Sequence, residues 1–293
     1  MTKISHFASY FSNPDINLRE FIINCNFFCT FVENYLMMIP FDKIALIGSG
    51  NVAYAYSKAL KNNGIHPTYI YTRSLDKISE IENSLEVKAT SCFDDLLDCD
   101  LIIIAVKDDV IKEVSLNLKN YKGLLVHTSG TQPSSVLNHI ENYGVLYPLQ
   151  TLTKDFDVDF KKVPLLINAS SSIYLEKLKA LANIMSDVVI ECNDDDRKLI
   201  HLSAVYVCNF VNVMLQVGDR LLENKGLNVS IFEPLVKETV EKAFVLGPKN
   251  ALTGPAKRGD VETIERHKKL LGNNPEEKKI YELLTNYIIN KCR

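Results

Sequence analysis

The 293-residue chain has little net charge, because 33 Lys and Arg stand against 36 Asp and Glu and leave a formal charge of −3. Its cations are scattered rather than striped, which excludes the electrostatic footprint of a nucleic-acid binder. Seven cysteines contain no Cys-x-x-Cys pair and no partnered His spacing, so no metal site is expected. Their odd number points to reduced thiols in a cytoplasmic protein. Long apolar runs are scarce near the start: the stretch from Phe21 to Val32 is broken by Asn24 and Asn26 and is too short to span a bilayer. The basic opening and small-residue cleavage site of a signal peptide are missing as well, and no membrane association is expected. What remains is a soluble globular composition, 46% hydrophobic and 24% charged, on a length that exceeds one ordinary domain.

Against that background one segment stands out. Lys43-Ile44-Ala45-Leu46-Ile47 reads as a buried strand and breaks at Gly48-Ser49-Gly50-Asn51-Val52-Ala53 into a helical pattern. In a dinucleotide-binding turn, Gly48 permits the tight bend, Gly50 lets the backbone approach a pyrophosphate, and Ala53 allows the helix to pack on the strand. The helix start, at Asn51 and Val52, offers free N–H groups and the positive end of the dipole to phosphates. About twenty residues on, the strand Thr68-Tyr69-Ile70-Tyr71 ends in Thr72-Arg73-Ser74, where an NAD site would place an acid. Arg73 with Ser74 suits the 2′-phosphate of NADP instead. Asp76 is the alternative, a displaced acid, and Arg73 could also be a solvated strand-end residue.

Further strands are expected at Val87 to Thr90, Asp100 to Lys107, Gly123 to His127, Val145 to Tyr147, Val163 to Asn168 and Val188 to Glu191. Helices are expected at Leu75 to Leu85, after Pro133, and at Ser172 to Met185. Strands alternating with helices predict an α/β fold, a doubly wound Rossmann-type sheet of about eight strands over residues 41–193. The order of the last strands stays open.

After Asn193 the apolar residues recur only at helical spacing, which predicts an all-helical C-terminal domain over residues 194–293. Its first helix starts at the acidic cluster Asp194-Asp195-Asp196 and runs through Leu222. The others are expected at Ser230 to Leu246, Val261 to Leu271, and Glu276 to Asn290 with Asn274 as cap. The first is apolar nearly all round, so it is expected to be buried, in part by a second subunit. Residues 1–40, rich in Phe, Asn and Cys, follow neither period. Met37 or Met38 is expected as the true start, the upstream segment being spurious translation or an appended arm.

From Phe41 onward the chain resembles the NADP oxidoreductases related to pyrroline-5-carboxylate reductase and to the deazaflavin-dependent NADP reductases, in a bacterial branch with its own helical C-terminal domain. Beyond the glycine turn and Tyr71-Thr72-Arg73-Ser74, the segments that carry the likeness are His127 to Thr131, Tyr147 to Thr151, His201 through Asn212, and Leu252 to Asp260. The resemblance implies a helical domain similar to that of 6-phosphogluconate dehydrogenase, a homodimer formed through it, and an active site between domains. It implies no particular substrate.

The same blocks can be given chemical roles. Ligands sit beyond the carboxyl ends of the strands, so Ala105, Val106, Thr128 and Ser129 are expected at the nicotinamide half of the cofactor. Alternatively, Thr128 and Ser129 only stabilise a turn before Pro133. Gln150 is placed to orient a carbonyl or imine. Hydride transfer to a carbonyl needs a proton donor, and His201, on the first helix of the C-terminal domain, is the candidate. Helical spacing gives it the face of Val205, Cys208 and Asn212, with Asn209 to one side. Related dehydrogenases carry a polar catalytic pair on this helix, which His201 and Asn209 would match; a cap and a buried brace are the alternatives. Lys257 or Arg258 would anchor an acidic substrate, unless Arg258 merely pairs with Asp260. The expected function is NADPH-dependent reduction of a small carbonyl or imine, with a non-catalytic NADP-binding sensor as the alternative. A nucleotide-sugar or methyl-donor enzyme is disfavoured by Arg73.

Overall fold

The computed structural model describes residues 40–292, so the expectation for the N-terminal arm lies outside the described residues except at Pro40. The described residues divide into two compact units that part between Ala204 and Val205. The division falls within the long helical run that begins at Asp194.

In the first unit, β1 (Ile44–Ile47), β2 (Tyr69–Tyr71), β3 (Ala89–Thr90), β4 (Leu101–Ile104), β5 (Leu124–His127), β6 (Tyr143–Pro148), β7 (Leu165–Ala169) and β8 (Val189–Glu191) form one sheet. Their order is β3-β2-β1-β4-β5-β6-β7-β8. Every neighbouring pair is parallel except β6 and β7, which run antiparallel with Val145 opposite Asn168. The central strands are buried on both sides, as continuous Ile, Leu and Val runs require. Alternation then splits them between two cores. Ile44, Leu46, Leu101, Ile103, Leu124 and Val126 meet Tyr56, Ala59 and Leu60 of helix α1 (Asn51–Asn62) and Ile81 and Leu85 of helix α2 (Ile78–Leu85). Ala45, Ile47, Ile102, Ile104 and Leu125 face Leu96, Leu118, Leu137 and Ile111, the last of these opening the short helix α3 (Ile111–Ser115). Helix α4 (Ser172–Met185) closes the first core with Leu178, Leu181, Ala182 and Met185. Its Ser171 side chain accepts from the Tyr174 N–H and so caps it. Tyr56, fully buried, donates its hydroxyl to the Leu146 carbonyl at 2.8 Å and ties α1 to β6.

Local details differ from the sequence reading. Leu75–Lys77 is a 3-10 turn before α2, and the segment after Pro133 is a 3-10 turn, Ser134–Leu137, rather than an α-helix. Helix α5 (Asp194–Ala204) ends the first unit. The π turn Val205–Asn209 and helix α6 (Phe210–Leu222) open the second, followed by α7 (Glu233–Leu246), α8 (Pro248–Ala251), α9 (Pro255–Arg258), α10 (Val261–Leu270) and α11 (Pro275–Lys291). Asp260 caps α10 through the Thr263 N–H at 3.0 Å, whereas the Asn274 side chain makes no capping bond to α11.

The expected burial of the long helix is not met within one chain. Among the described residues α6 buries no side chain, and Leu199, Tyr206 and Val207 are more than 60% exposed. By length and composition alone the run Asp194–Lys225 could cross a membrane.

Candidate functional site

The turn between β1 and α1 is fixed by one close approach. Gly48 has φ +124°, and a Cβ there would stand 2.3 Å from the Ala105 carbonyl oxygen. Only glycine fits both demands, and the Gly48 N–H donates to the Tyr71 carbonyl at 2.9 Å. The ends of β1, β2 and β4 are thereby drawn together. Gly50 is the reverse case: a Cβ there would meet nothing within 4 Å. It precedes α1 with no side-chain cap, and no acid occupies the first turn. The N–H groups at Asn51 and Val52 therefore open onto free space with the helix dipole behind them.

Thr72, buried at the end of β2, donates its hydroxyl to Ser49 Oγ at 3.5 Å and accepts from the Ser74 N–H at 3.2 Å. The two contacts join the strand end to the glycine turn. Arg73 is exposed and has neither an ion pair nor a hydrogen bond among the described residues. Burial pushes the Tyr71 hydroxyl up, and the nearby Arg73 charge opposes that shift. Tyr71 also stacks on Phe93, with ring centroids 4.1 Å apart. Asp76 is exposed in the 3-10 turn.

At the ends of β4 and β5 the polar groups serve the loop itself. Ala105 is buried and Val106 half-buried. Thr128 donates its hydroxyl to the Ile104 carbonyl at 3.2 Å. Ser129 donates to Asp108 Oδ2 at 2.6 Å and accepts from the N–H groups of Thr131 and Gln132. Both hydroxyls thus bond within the loop. His127 Nδ1 accepts from the Ser129 N–H at 3.1 Å. Burial, with the Arg197 charge second, pushes this imidazole down to about 4. Arg197 is itself buried, 2.8 Å from Asp194, and donates to the Gln132 carbonyl. Burial would raise the Asp194 carboxyl, but the Ser134 donors and Arg197 prevail and hold it below its ordinary value. Sequence spacing hid this anchor, because the partners lie about sixty residues apart.

His201, half-buried on α5, pairs through Nδ1 with the Tyr147 hydroxyl at the end of β6, 2.9 Å away. Gly130 packs beneath both rings. Tyr147 lies in a motif quoted for resemblance but carries no expected role, and nothing local in the sequence points to its partner. Gln150 is exposed, with its side-chain oxygen accepting from its own neighbour, the Thr151 N–H, at 2.8 Å. Asn209 is exposed in the second unit. The π turn Val205–Asn209 breaks the 3.6-residue period, so the face inferred for His201 does not carry through to Asn212.

In the second unit, Lys257 donates to the Cys292 carbonyl at 2.5 Å. Arg258 is exposed and makes no ion pair with Asp260, whose partner is Thr263. A cavity of about 340 Å³ lies among Met214, Leu221, Pro255, Tyr281, Leu284 and Ile288. Cys92, Cys99, Cys192, Cys208 and Cys292 are free thiols.

Two family models match the chain. One, described as NADP oxidoreductase coenzyme F420-dependent, covers residues 43–127, and the other, a domain of unknown function (DUF2520), covers residues 163–288. Among solved structures, a candidate NADP oxidoreductase from Bacteroides fragilis is 36% identical. Its match covers 86% of this chain and 100% of that one, with a TM-score of 0.79. An imine reductase from Myxococcus stipitatus in complex with NADP+ is 18% identical, with 84% and 91% covered and a TM-score of 0.58. A pyrroline-5-carboxylate reductase from Coxiella burnetii is also 18% identical, with 85% and 96% covered and a TM-score of 0.53. The last two show the fold alone. No curated protein matches the chain. The chain therefore belongs to the NADP oxidoreductase family in which a Rossmann-like domain of the F420-dependent oxidoreductase type is followed by the DUF2520 region.

Proposed function

We propose that the protein is an NADPH-dependent reductase of a small carbonyl or imine compound. The observation that carries this reading is Arg73, an unpaired guanidinium at the end of β2 where an NAD site would hold an acid. It stands on a strand tied by Thr72 to the glycine turn, over which Gly50 leaves open space. The residues fit the cofactor. Gly50, Asn51 and Val52 would hold the diphosphate through backbone N–H groups, on the turn that Gly48 shapes while its own N–H is engaged by Tyr71. Arg73 and Ser74 would hold the 2′-phosphate, and Ala105, Val106 and the turn at Thr128 and Ser129 would border the nicotinamide. When bound, NADPH supplies a hydride.

The chain's own part in the chemistry is to bind, orient and provide a proton. His201 is the proton donor, since histidine is the side chain most often used for that work and this one stands at the strand end held by Tyr147. Gln150 and Asn209 are the candidates for orienting the substrate, and Gln150 would have to release its contact with Thr151 first. Of the two cations near α9, Arg258 is the better anchor for an acidic substrate, because Lys257 is engaged by Cys292. A second copy of the chain, docked through the helical unit, is the proposed partner.

The test is calorimetry with NADPH and NADH on the wild type and on Arg73→Ala. Loss of charge-assisted hydrogen bonds to a phosphate, about 1.5–3 kcal/mol, weakens NADPH about 10- to 100-fold and leaves NADH unchanged. Equal losses for both cofactors, or no uptake of NADPH by the wild type, refutes the reading. Uptake without oxidation by any imine or carbonyl would favour the sensor.

A further inference from the structure

The Tyr147–His201 contact joins residues 54 positions apart, and three features of it act together. The hydroxyl lies 2.9 Å from Nδ1. The rings meet edge to face, with centroids 5.8 Å apart at 65°. Beneath them, a Cβ on Gly130 would stand 2.5 Å from His201 Nδ1 and 2.9 Å from Tyr147 Cζ. The backbone at Gly130 and the phenol therefore hold the imidazole from two sides, at a distance that only a residue without a side chain permits. Nε2 makes no hydrogen bond among the described residues.

We propose that Tyr147 is a positioning residue that fixes the orientation and tautomer of His201, so that Nε2 is the nitrogen through which protons pass. The inference rests on the reading of His201 as proton donor. A phenol hydroxyl is a stronger donor than an imidazole N–H, and a neutral imidazole nitrogen is a stronger acceptor than a phenol oxygen. The neutral pair therefore takes the form O–H···Nδ1, which leaves the ring proton on Nε2. When the imidazole is charged, the hydroxyl turns and its oxygen accepts from Nδ1–H. One hydroxyl thus satisfies both states while the ring stays in place.

In the reducing step the carbonyl carbon accepts a hydride with its electron pair, and the displaced C=O π pair takes the proton from Nε2 of the imidazolium. The N–H pair stays on Nε2, and the remaining proton on Nδ1 is held by the Tyr147 oxygen until solvent returns a proton. Tyr147→Phe preserves the ring packing but leaves Nδ1 without its partner.

The test compares wild type, Tyr147→Phe and Gly130→Ala by long-range 1H–15N correlation of the histidine rings without ligand. The His201 signals are assigned by their loss in His201→Gln. The expected result is a single Nε2–H tautomer in the wild type and a mixture of both in each variant. Calorimetric uptake of NADPH should stay within twofold in Tyr147→Phe, and a loss there would count against the cofactor site instead. With 1-pyrroline and pyruvate as probes, kcat should fall about 10- to 100-fold, the range of a mispositioned general acid, while KM shifts less than threefold. The same tautomer in wild type and Tyr147→Phe overturns the proposal. If the wild type binds NADPH but turns over neither probe, the reductase reading is at fault and the tautomer measurement alone decides the role of Tyr147.

Discussion

The buried imidazole of His127 makes the stability of the sheet depend on pH in a window where few other groups titrate. The ring is fully buried at the end of β5, accepts from the Ser129 N–H, and lies near the Arg197 guanidinium. Its pKa is pushed down to about 4, against about 6.5 in an unfolded chain. Because the folded state keeps the ring neutral, the unfolded state binds the proton first as pH falls. Stability is therefore full above about pH 6.5, declines between there and about 4, and levels off below. A difference of about 2.5 units corresponds to about 3 kcal/mol over the whole window, of which about 2 is lost by pH 5. That is a large share of the roughly 5–15 kcal/mol that holds a domain together. His127→Asn keeps an acceptor for the Ser129 N–H but carries no charge, so its stability should fall far less between pH 7.5 and 5. Urea unfolding at pH 7.5, 6 and 5 measures both curves, and the carboxylates, which titrate mostly below pH 5, contribute alike to each. Parallel curves for the two proteins, or an NMR titration of the His127 ring near pH 6.5, would refute the argument.

Two further expectations concern the glycine turn and the helical unit. Gly48→Ala, with φ +124° and the Ala105 oxygen at 2.3 Å, should lose more than about 2 kcal/mol in thermal unfolding. Gly50→Ala should melt within about 0.5 kcal/mol of the wild type but bind NADPH more weakly, since its methyl would fill the space above the turn; equal melting of the two variants would sink this reading. In sedimentation without detergent at micromolar concentration, the protein should run at twice its chain mass; a monomer, or a species that disperses only in detergent, would argue against the second copy.

How far the fold was legible depended on whether the determining contacts were local. Ile44–Ile47, Leu101–Ile104 and Leu124–His127 are buried on both faces, and their aliphatic runs, broken only by His127 at the last strand's end, announce it. The Gly48 turn was readable because a positive φ leaves few choices of residue. Ser134–Leu137 was misread as an α-helix because Pro133 starts a helical turn, while Asp194, sixty residues away, ties Ser134 in place. The expected cofactor residues lie on strand ends and one turn, so β-strand periodicity ordered them. Tyr147 acts through His201, and Arg197 in part through the Gln132 carbonyl, partners that no spacing rule connects. The π turn left no mark either, because it falls in a stretch apolar nearly all round, where a rotation of the face does not change the run of residue types.

The helical unit shows why an apolar pattern predicts that a surface will be covered without saying what covers it. Of its hydrophobic side chains only Ala256, Ile264 and Leu271 are buried among the described residues, while Phe244, Val245, Leu270 and Leu283 are more than two-thirds exposed. So few buried side chains cannot offset the conformational entropy of ordering such a unit. Lipid is a poor cover for it. Helix α7 carries the ion pairs Lys237–Glu233 and Lys242–Glu238 within about three turns of Phe244, and in α6 Gln216 donates to the Asn212 side-chain oxygen. Such interleaved polar groups are costly in hydrocarbon but are ordinary at the edge of a protein interface. The interleaved polar groups thus speak for the proposed second copy rather than a bilayer as the cover of this face, which is what sedimentation tests.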